Sequence, residues 1–331
     1  MDYKIQLTDK TPVRLPPYRL SPPKMQYLRE HIKTLIRDGV IDPSLSKYSI
    51  PMFLVLETGG TYRAVVDFRM LNKRISIESV PLLDVHSPFQ WFAKAQYFTT
   101  LDLHQAYEQI LLAKASKPLT AFCTDWNIYQ YTRVPFGLVT GAQVLSRLLD
   151  RVFQDTKFEF VYHYLDDVVI YSESFEEHLE HIRVMIDRLR HAGLTLRHQK
   201  VDLATQQISF FEHLVSPGFV RIDPECTRPI KKFPIPQDNK GLARFIAMLN
   251  FYLKFIPGLA DVCASLNALR EKRMRFVWGQ EQQEAFESLK RALSQHPVLG
   301  MAKFPEKFVL QTDTSGAGLR VVLSQEHNRV R

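Results

Sequence analysis

Cysteine is scarce in this chain. Its three copies, Cys123, Cys226 and Cys263, have neither metal-ligand nor redox spacing, which excludes a zinc ribbon and a disulfide framework. That scarcity predicts a reducing, intracellular compartment, cytoplasm or nucleus. No apolar run is long enough to cross a bilayer, and the polar N-terminus lacks the apolar core of a signal peptide, so no membrane partner is expected. Internal repeats and low-complexity tracts are also missing, which excludes solenoids and disordered tails. Acid is in deficit: 35 Asp and Glu stand against 43 Lys and Arg, a net +8. Residues 221–300 hold 13 basic and 8 acidic side chains, densest at Arg270, Lys272, Arg273 and Arg275. The excess favours a polyanionic partner, although a solvated basic face gives the same count. At 331 residues the chain suits two or three subdomains rather than one core.

Tyr164-Leu165-Asp166-Asp167 interrupts an apolar, β-favouring run from Phe158 to Tyr171. Phe158, Phe160, Tyr162 and Tyr164 alternate with other residues before the acids, and Val168-Val169-Ile170-Tyr171 resumes afterwards, which predicts a hairpin with two carboxylates at its turn. Neighbouring side chains on a flat strand face opposite ways, so the two acids can share a ligand only where a turn breaks the pleat. Adjacent carboxylates repel unless a cation lies between them. Hard oxygen ligands favour Mg²⁺. An ordinary solvent-facing turn is the competing reading.

Gln96 to Leu103 reads as a strand ending in a lone acid, Asp102. A site with two metals needs carboxylates from more than one strand, while a helix N-cap is the alternative for Asp102. Elsewhere, Ser21-Pro22-Pro23 followed by Met25, Leu28, Ile32, Leu35 and Ile36 before Gly39 predicts an amphipathic helix. Residues 53–56 and 62–68 around Gly59-Gly60 predict a hairpin. Ser174 to Glu177 reads as a capping box, opening a helix whose stripe of Phe175, Leu179, Ile182, Ile186 and Leu189 is expected to be core. A cluster of prolines from Pro224 precedes a helix carrying Leu242, Phe245, Ile246 and Leu249, and a domain boundary is expected near 221.

The chain resembles the reverse transcriptases of gypsy-type LTR retrotransposons. Seven motifs carry the resemblance in the family's order: residues 15–22 (LPPYRLSP), 66–73 (VDFRMLNK), Leu101-Asp102-Leu103, Val134-Pro135-Phe136-Gly137-Leu138, Tyr164-Leu165-Asp166-Asp167, residues 250–257 (NFYLKFIP) and Leu310-Gln311-Thr312-Asp313. The resemblance implies an α+β right-hand polymerase with an antiparallel palm sheet. Fingers fall at 1–77 and 110–140, palm at 78–109 and 141–220, thumb and connection at 221–300. Residues 301–331 would be the truncated start of an RNase H-like domain. It further implies a nucleotidyltransferase that extends a DNA primer on an RNA template, holding the RNA–DNA hybrid and deoxynucleoside triphosphates, as monomer or dimer. Asp102, Asp166 and Asp167 would be catalytic and hold two Mg²⁺, or Mn²⁺ in their place.

Other roles carry over by motif position. Arg63 would contact the triphosphate, its planar fork suiting phosphate oxygens. Tyr107 matches the aromatic beneath the incoming sugar, where a 2′-hydroxyl clashes. Phe136 and Gly137 would shape the pocket, and Lys200 matches a lysine that protonates pyrophosphate, a plain surface lysine being the alternative. Departures from the pattern predict reduced activity. Residues 55–60 lack the usual lysines, and Glu57 repels a triphosphate. Thr140-Gly141-Ala142 stands where Asn-Ala-Pro is usual, and Glu212 replaces a glycine in the hairpin that grips the primer. The alternative implied by these changes is a catalytically weak or inactive nucleic-acid-binding protein. Asp313 matches the first RNase H carboxylate, Glu326 is the only further acid after it, and Arg320 replaces a small residue. RNase H activity is therefore not expected, and no protease or integrase segment is recognised.

Overall fold

The computed structural model describes residues 2–57, 59–77, 88–250, 252, 255, 259–270, 276–294, 298–303, 306–315 and 318–325. In chain order its elements are α1 (Pro22–Arg37), β1 (Ile41–Pro43), β2 (Ile50–Leu56), β3 (Tyr62–Val66), α2 (Arg69–Asn72), α3 (Pro88–Trp91), β4 (Tyr97–Asp102), β5 (Phe122–Cys123), β6 (Ile128–Tyr131), α4 (Gly141–Val152), β7 (Val161–Tyr164), β8 (Asp167–Ser172) and α5 (Phe175–His191). Then follow β9 (Asp202–Thr205), β10 (Ile208–Phe210), β11 (His213–Ser216), β12 (Phe219–Ile222), α6 (Pro224–Lys231), α7 (Asn239–Asn250), α8 (Leu259–Ala268), α9 (Gln280–Ser294), β13 (Val298–Gly300), β14 (Val309–Ser315) and β15 (Gly318–Ser324). A four-stranded sheet runs in the order β7-β8-β4-β9.

The chain divides into two compact units, one of residues 1–83, 100–169 and 182–201, the other of 84–99, 170–181 and 202–331. In the first, α1 starts on Pro22 and Pro23, whose missing amide hydrogens cost nothing in a first turn. It buries Leu28, Ile32 and Leu35, while Ile36 stays exposed. A five-stranded sheet is ordered β1-β6-β5-β2-β3. Its β2–β3 hairpin is antiparallel with Val55 opposite Arg63, and β2 runs parallel to β5.

The second unit centres on Phe92, fully buried, with the rings of Phe98, Tyr171 and Phe210 at 5.8, 5.1 and 5.8 Å. These edge-on arrangements match the aromatic quadrupoles. Leu242, Phe245, Ile246 and Leu249 of α7 are buried as their spacing predicts, and Phe245 meets Phe286 of α9 at 4.6 Å. A sheet ordered β10-β11-β12-β13 brings residues 298–300 back onto β12, so the segment from 221 to 300 begins and ends on one sheet. Near the C-terminus β14 and β15 form a hairpin with Asp313 opposite Arg320 in register. Glu326, Lys272, Arg273 and Arg275 lie outside the described residues.

Two sequence expectations are corrected. Phe158 to Phe160 form a turn, with Phe158 at φ +69°, and the strand begins only at Val161. On α5 the buried face is His178, Met185 and Leu189, whereas Phe175, Leu179 and Ile186 are exposed and Ile182 is half-buried. The reason lies in partners for the histidine. Its Nε2 is 2.8 Å from Thr99 Oγ1 and its Nδ1 2.8 Å from Ser172 Oγ, which is also 2.8 Å from His181 Nδ1. A fully satisfied imidazole can face inward, and the helix turns to let it. At its start, Glu177 N–H donates to Ser174 Oγ, but the Glu177 carboxylate accepts from the Glu173 amide rather than that of Ser174.

Candidate active site

The β7–β8 hairpin delivers the two acids as its alternation predicts. Leu165, the first residue of the turn, is half-buried and holds φ +54°, a left-handed conformation that leucine rarely adopts. Asp166 completes the turn and Asp167 opens β8. Asp102 is the last residue of β4, which neighbours β8 in the sheet. Burial of the carboxyl raises the Asp167 pKa, followed by the negative charges of Asp166 and Asp102, with Lys200 opposing. Asp167 as a residue is exposed, so the weight rests on the two like charges.

Asp102 has cations beside it. Its Oδ2 accepts from Lys200 Nζ at 3.3 Å, and Arg197 Nε lies 3.9 Å from Oδ1. The Arg197 amide donates to the Asp102 carbonyl at 2.8 Å, the His104 amide to Thr195 at 3.0 Å, and the Gln109 side chain brackets Thr195 from both sides of its peptide. Lys200, 98 residues further along, is thereby tied to the end of β4. As the side chains stand, no three His, Cys, Asp or Glu among the described residues lie close enough together to hold a metal ion. The donor set nevertheless suits a hard divalent cation: it is all oxygen, and Asp167 titrates high under its neighbours' charge, a repulsion that a cation would relieve.

Beside these acids three further candidates come together. The Arg63 guanidinium sits 4.4 Å from the Phe136 ring centroid, and the Tyr107 ring meets Phe136 edge-on at 6.2 Å. Phe136 is 54% exposed, so this stack offers a face to solvent. Tyr107 belongs to a 3₁₀ turn, Ala106–Gln109, and its phenol pKa is raised by burial and then by the charge of Asp166, which places the stack within reach of the acidic turn. Gly137 holds φ +95°, open to glycine but strained for other residues, and a Cβ there would lie 3.6 Å from the Phe68 ring.

Sequence reasoning missed what fixes this loop. Asn72 Nδ2 donates to the Gly137 carbonyl at 2.9 Å while its Oδ1 accepts from the Val139 amide at 3.0 Å. At the start of α2, three residues before Asn72, Arg69 forms a bidentate pair with Asp67 through two 2.7 Å bonds, and Tyr18 OH donates a third to Asp67 at 3.1 Å. The Arg69 hydrogen bonds hold the Asp67 carboxyl down to about 2. The motif at 66–73 and the tyrosine of the motif at 15–22 are thus scaffolding for the loop that carries Phe136. The only sequence signal was their co-occurrence as motifs.

The Glu212 carboxylate has a hydrogen-bond partner. In the β10–β11 hairpin Phe211 and Glu212 both have positive φ, +47° and +61°, and the Glu212 Oε2 accepts from Tyr252 OH at 3.0 Å. Burial and this carboxylate raise the Tyr252 pKa. Tyr252→Phe is expected to lower the unfolding free energy by about 1 kcal/mol in a urea titration. An unchanged midpoint means solvent already satisfies Glu212.

Residues 55–214 match the family described as reverse transcriptase (RNA-dependent DNA polymerase), and residues 278–331 match the RNase H-like domain found in reverse transcriptase. The chain is 31% identical over 327 residues to the retrovirus-related Pol polyprotein from transposon 297 of Drosophila melanogaster, covering 97% of itself and 31% of that protein. It is 30% identical over 336 residues to the transposon Tf2-3 polyprotein of Schizosaccharomyces pombe, covering 99% and 25%. It therefore spans between a quarter and a third of the length of these curated relatives. A solved foamy viral protease-reverse transcriptase in complex with double-stranded DNA shares its fold, with a TM-score of 0.87 at 19% identity, covering 99% of this chain and 69% of that one.

Proposed function

We propose that this chain, which carries a reverse transcriptase domain of the gypsy-type LTR retrotransposons followed by an RNase H-like segment, is an RNA-directed DNA polymerase of reduced activity. The observation that carries this reading is the meeting of an acidic turn, a strand-end aspartate and the Arg63–Phe136–Tyr107 stack within one compact unit. Residues 1–77 and 110–140 take the part of fingers, 78–109 and 141–220 of palm, 221–300 of thumb and connection, and 301–331 of the start of the RNase H-like domain.

Asp102, Asp166 and Asp167 would hold two Mg²⁺ or Mn²⁺ ions, which when bound activate the primer 3′-hydroxyl and neutralise charge on the triphosphate and leaving pyrophosphate. The protein's own share is positioning. Arg63, braced on Phe136, presents its fork to phosphate oxygens while the exposed Phe136 ring backs the nucleotide. Tyr107 fills the space where a ribose 2′-hydroxyl would sit. Lys200, beside Asp102, would donate a proton to departing pyrophosphate. Reduced activity follows from Glu57 in the β2–β3 turn.

The test is primer extension on an RNA template with Mg²⁺ or Mn²⁺. Template-directed incorporation supports the polymerase. Salt-sensitive binding of RNA–DNA hybrid without incorporation selects the second reading, an inactive nucleic-acid-binding protein, which Glu57 and the Lys200–Asp102 contact favour. Tyr107→Ala is expected to admit ribonucleotides, lowering sugar discrimination by at least about tenfold, since the clash it removes is steric. Unchanged discrimination takes Tyr107 out of that role.

A further inference from the structure

We infer that Tyr3, near the N-terminus and outside every motif, is a positioning residue for the Tyr107 sugar gate. This inference rests on the reading of Tyr107 given above. Tyr3 is anchored on both sides of its peptide: its amide donates to the Leu111 carbonyl at 2.7 Å, and its own carbonyl accepts from the Ala113 amide at 2.8 Å. Residues 111–113 lie just beyond the 3₁₀ turn that carries Tyr107. From that anchor the Tyr3 hydroxyl bonds Thr140 Oγ1 at 2.8 Å.

Thr140 stands at the N-cap of α4, where a threonine hydroxyl ordinarily accepts from an amide of the first turn. It makes no such bond here, is 3% exposed, and has Tyr3 as its partner. The next residue, Gly141, faces Tyr107 directly, since a Cβ built on it would lie 3.5 Å from both Cδ1 and Cε1 of that ring. One side chain therefore joins residues 111–113, just past the Tyr107 turn, to the helix start that faces the Tyr107 ring. The departure at Thr140-Gly141-Ala142 is the acceptor of this clamp.

The clamp matters because the space behind it is open. A cavity of about 470 Å³ lies there, lined among others by Tyr3, Gln109, Ile110, Val144, Leu148 and Leu194. Close packing, which elsewhere fixes a side chain through many small contacts, is interrupted between the 3₁₀ turn and α4. A single well-formed hydrogen bond is then a large share of what holds their spacing, and that spacing sets how far Tyr107 can retreat from a 2′-hydroxyl.

The experiment measures kcat/KM for one deoxynucleotide and its ribonucleotide in the wild-type chain and in Tyr3→Phe, Thr140→Val, the double variant and Tyr107→Ala. Tyr3→Phe is expected to lower discrimination about three- to tenfold, the range one hydrogen bond supports. Thr140→Val should do the same, and the double variant no more than either, because both remove one interaction. Amide hydrogen exchange in residues 106–113 and 139–144 should quicken in both single variants. If Tyr107→Ala relaxes discrimination while Tyr3→Phe matches wild type, the clamp is overturned and the gate stands. If Tyr107→Ala itself changes nothing, the gate falls and the clamp's role in it falls too. Unchanged exchange in Tyr3→Phe overturns the clamp whether or not the chain polymerises.

Discussion

Asp166→Asn should abolish primer extension, with a loss of about a thousandfold or more, while binding of RNA–DNA hybrid persists. Asparagine keeps the size of the side chain and is a favoured turn residue, so the hairpin between Tyr164 and Asp167 has no reason to move. What it removes is one of the negative charges that raise Asp167. A transition state that spreads charge over a transferring phosphate depends on preorganised electrostatics, and loss of one such group costs on the order of a hundred- to a thousandfold even where no metal ligand is involved. Stability serves as the control. Because like charges at this turn repel, the asparagine variant should unfold at the same or a higher urea concentration. Incorporation within tenfold of wild type by a folded variant would remove Asp166 from the chemistry.

Acid should destabilise the fold well before its carboxylates titrate. His178 is fully buried and its pKa is lowered from the ordinary 6.5 to about 4, first by burial and then by the charge of His181, with Glu177 opposing. The unfolded chain takes up a proton near pH 6.5, whereas the folded chain resists until about pH 4. Stability is thus whole above pH 6.5 and falls as pH drops toward 4, by about 3 kcal/mol from this one group. Burial accounts for most of the resistance, and the hydroxyl partners add to it. Thr99 Oγ1 already accepts from the Ala204 amide at 3.0 Å, and a doubly protonated imidazole forces both Thr99 and Ser172 to accept from it. Buried His163 and half-buried His181 shift the same way, while the raised carboxyls of Glu108 and Asp167 push against the trend. Urea midpoints at pH 7 and pH 4.5 test it, with His178→Gln expected to flatten the difference. Equal midpoints in the wild-type chain would defeat the assignment.

The acidic hairpin and the strand ending at Asp102 were legible in the sequence because period-two alternation fixes which residues turn and which pair. The α7 face was legible for the matching helical reason. The face of α5 was not: apolar spacing favoured Phe175, Leu179 and Ile186, and nothing local announced that His178 would find hydroxyls on Thr99 and Ser172. Lys200 beside Asp102, Tyr252 beside Glu212, and Asn72 clasping the Phe136 loop were equally hidden. Each is a polar contact between residues 40 or more positions apart, and no periodicity encodes such a partner.

The backbone at Leu165 has a cost of its own. A leucine kept at φ +54° forgoes roughly 1 kcal/mol that glycine would return. Yet glycine there would free the peptide that aims two acids, and its lack of a side chain would leave a half-buried site unfilled. Heat tolerance and the chemistry proposed for this turn would therefore pull in opposite directions on a single torsion, so a lineage selected for robustness alone could lose that geometry while keeping both acids.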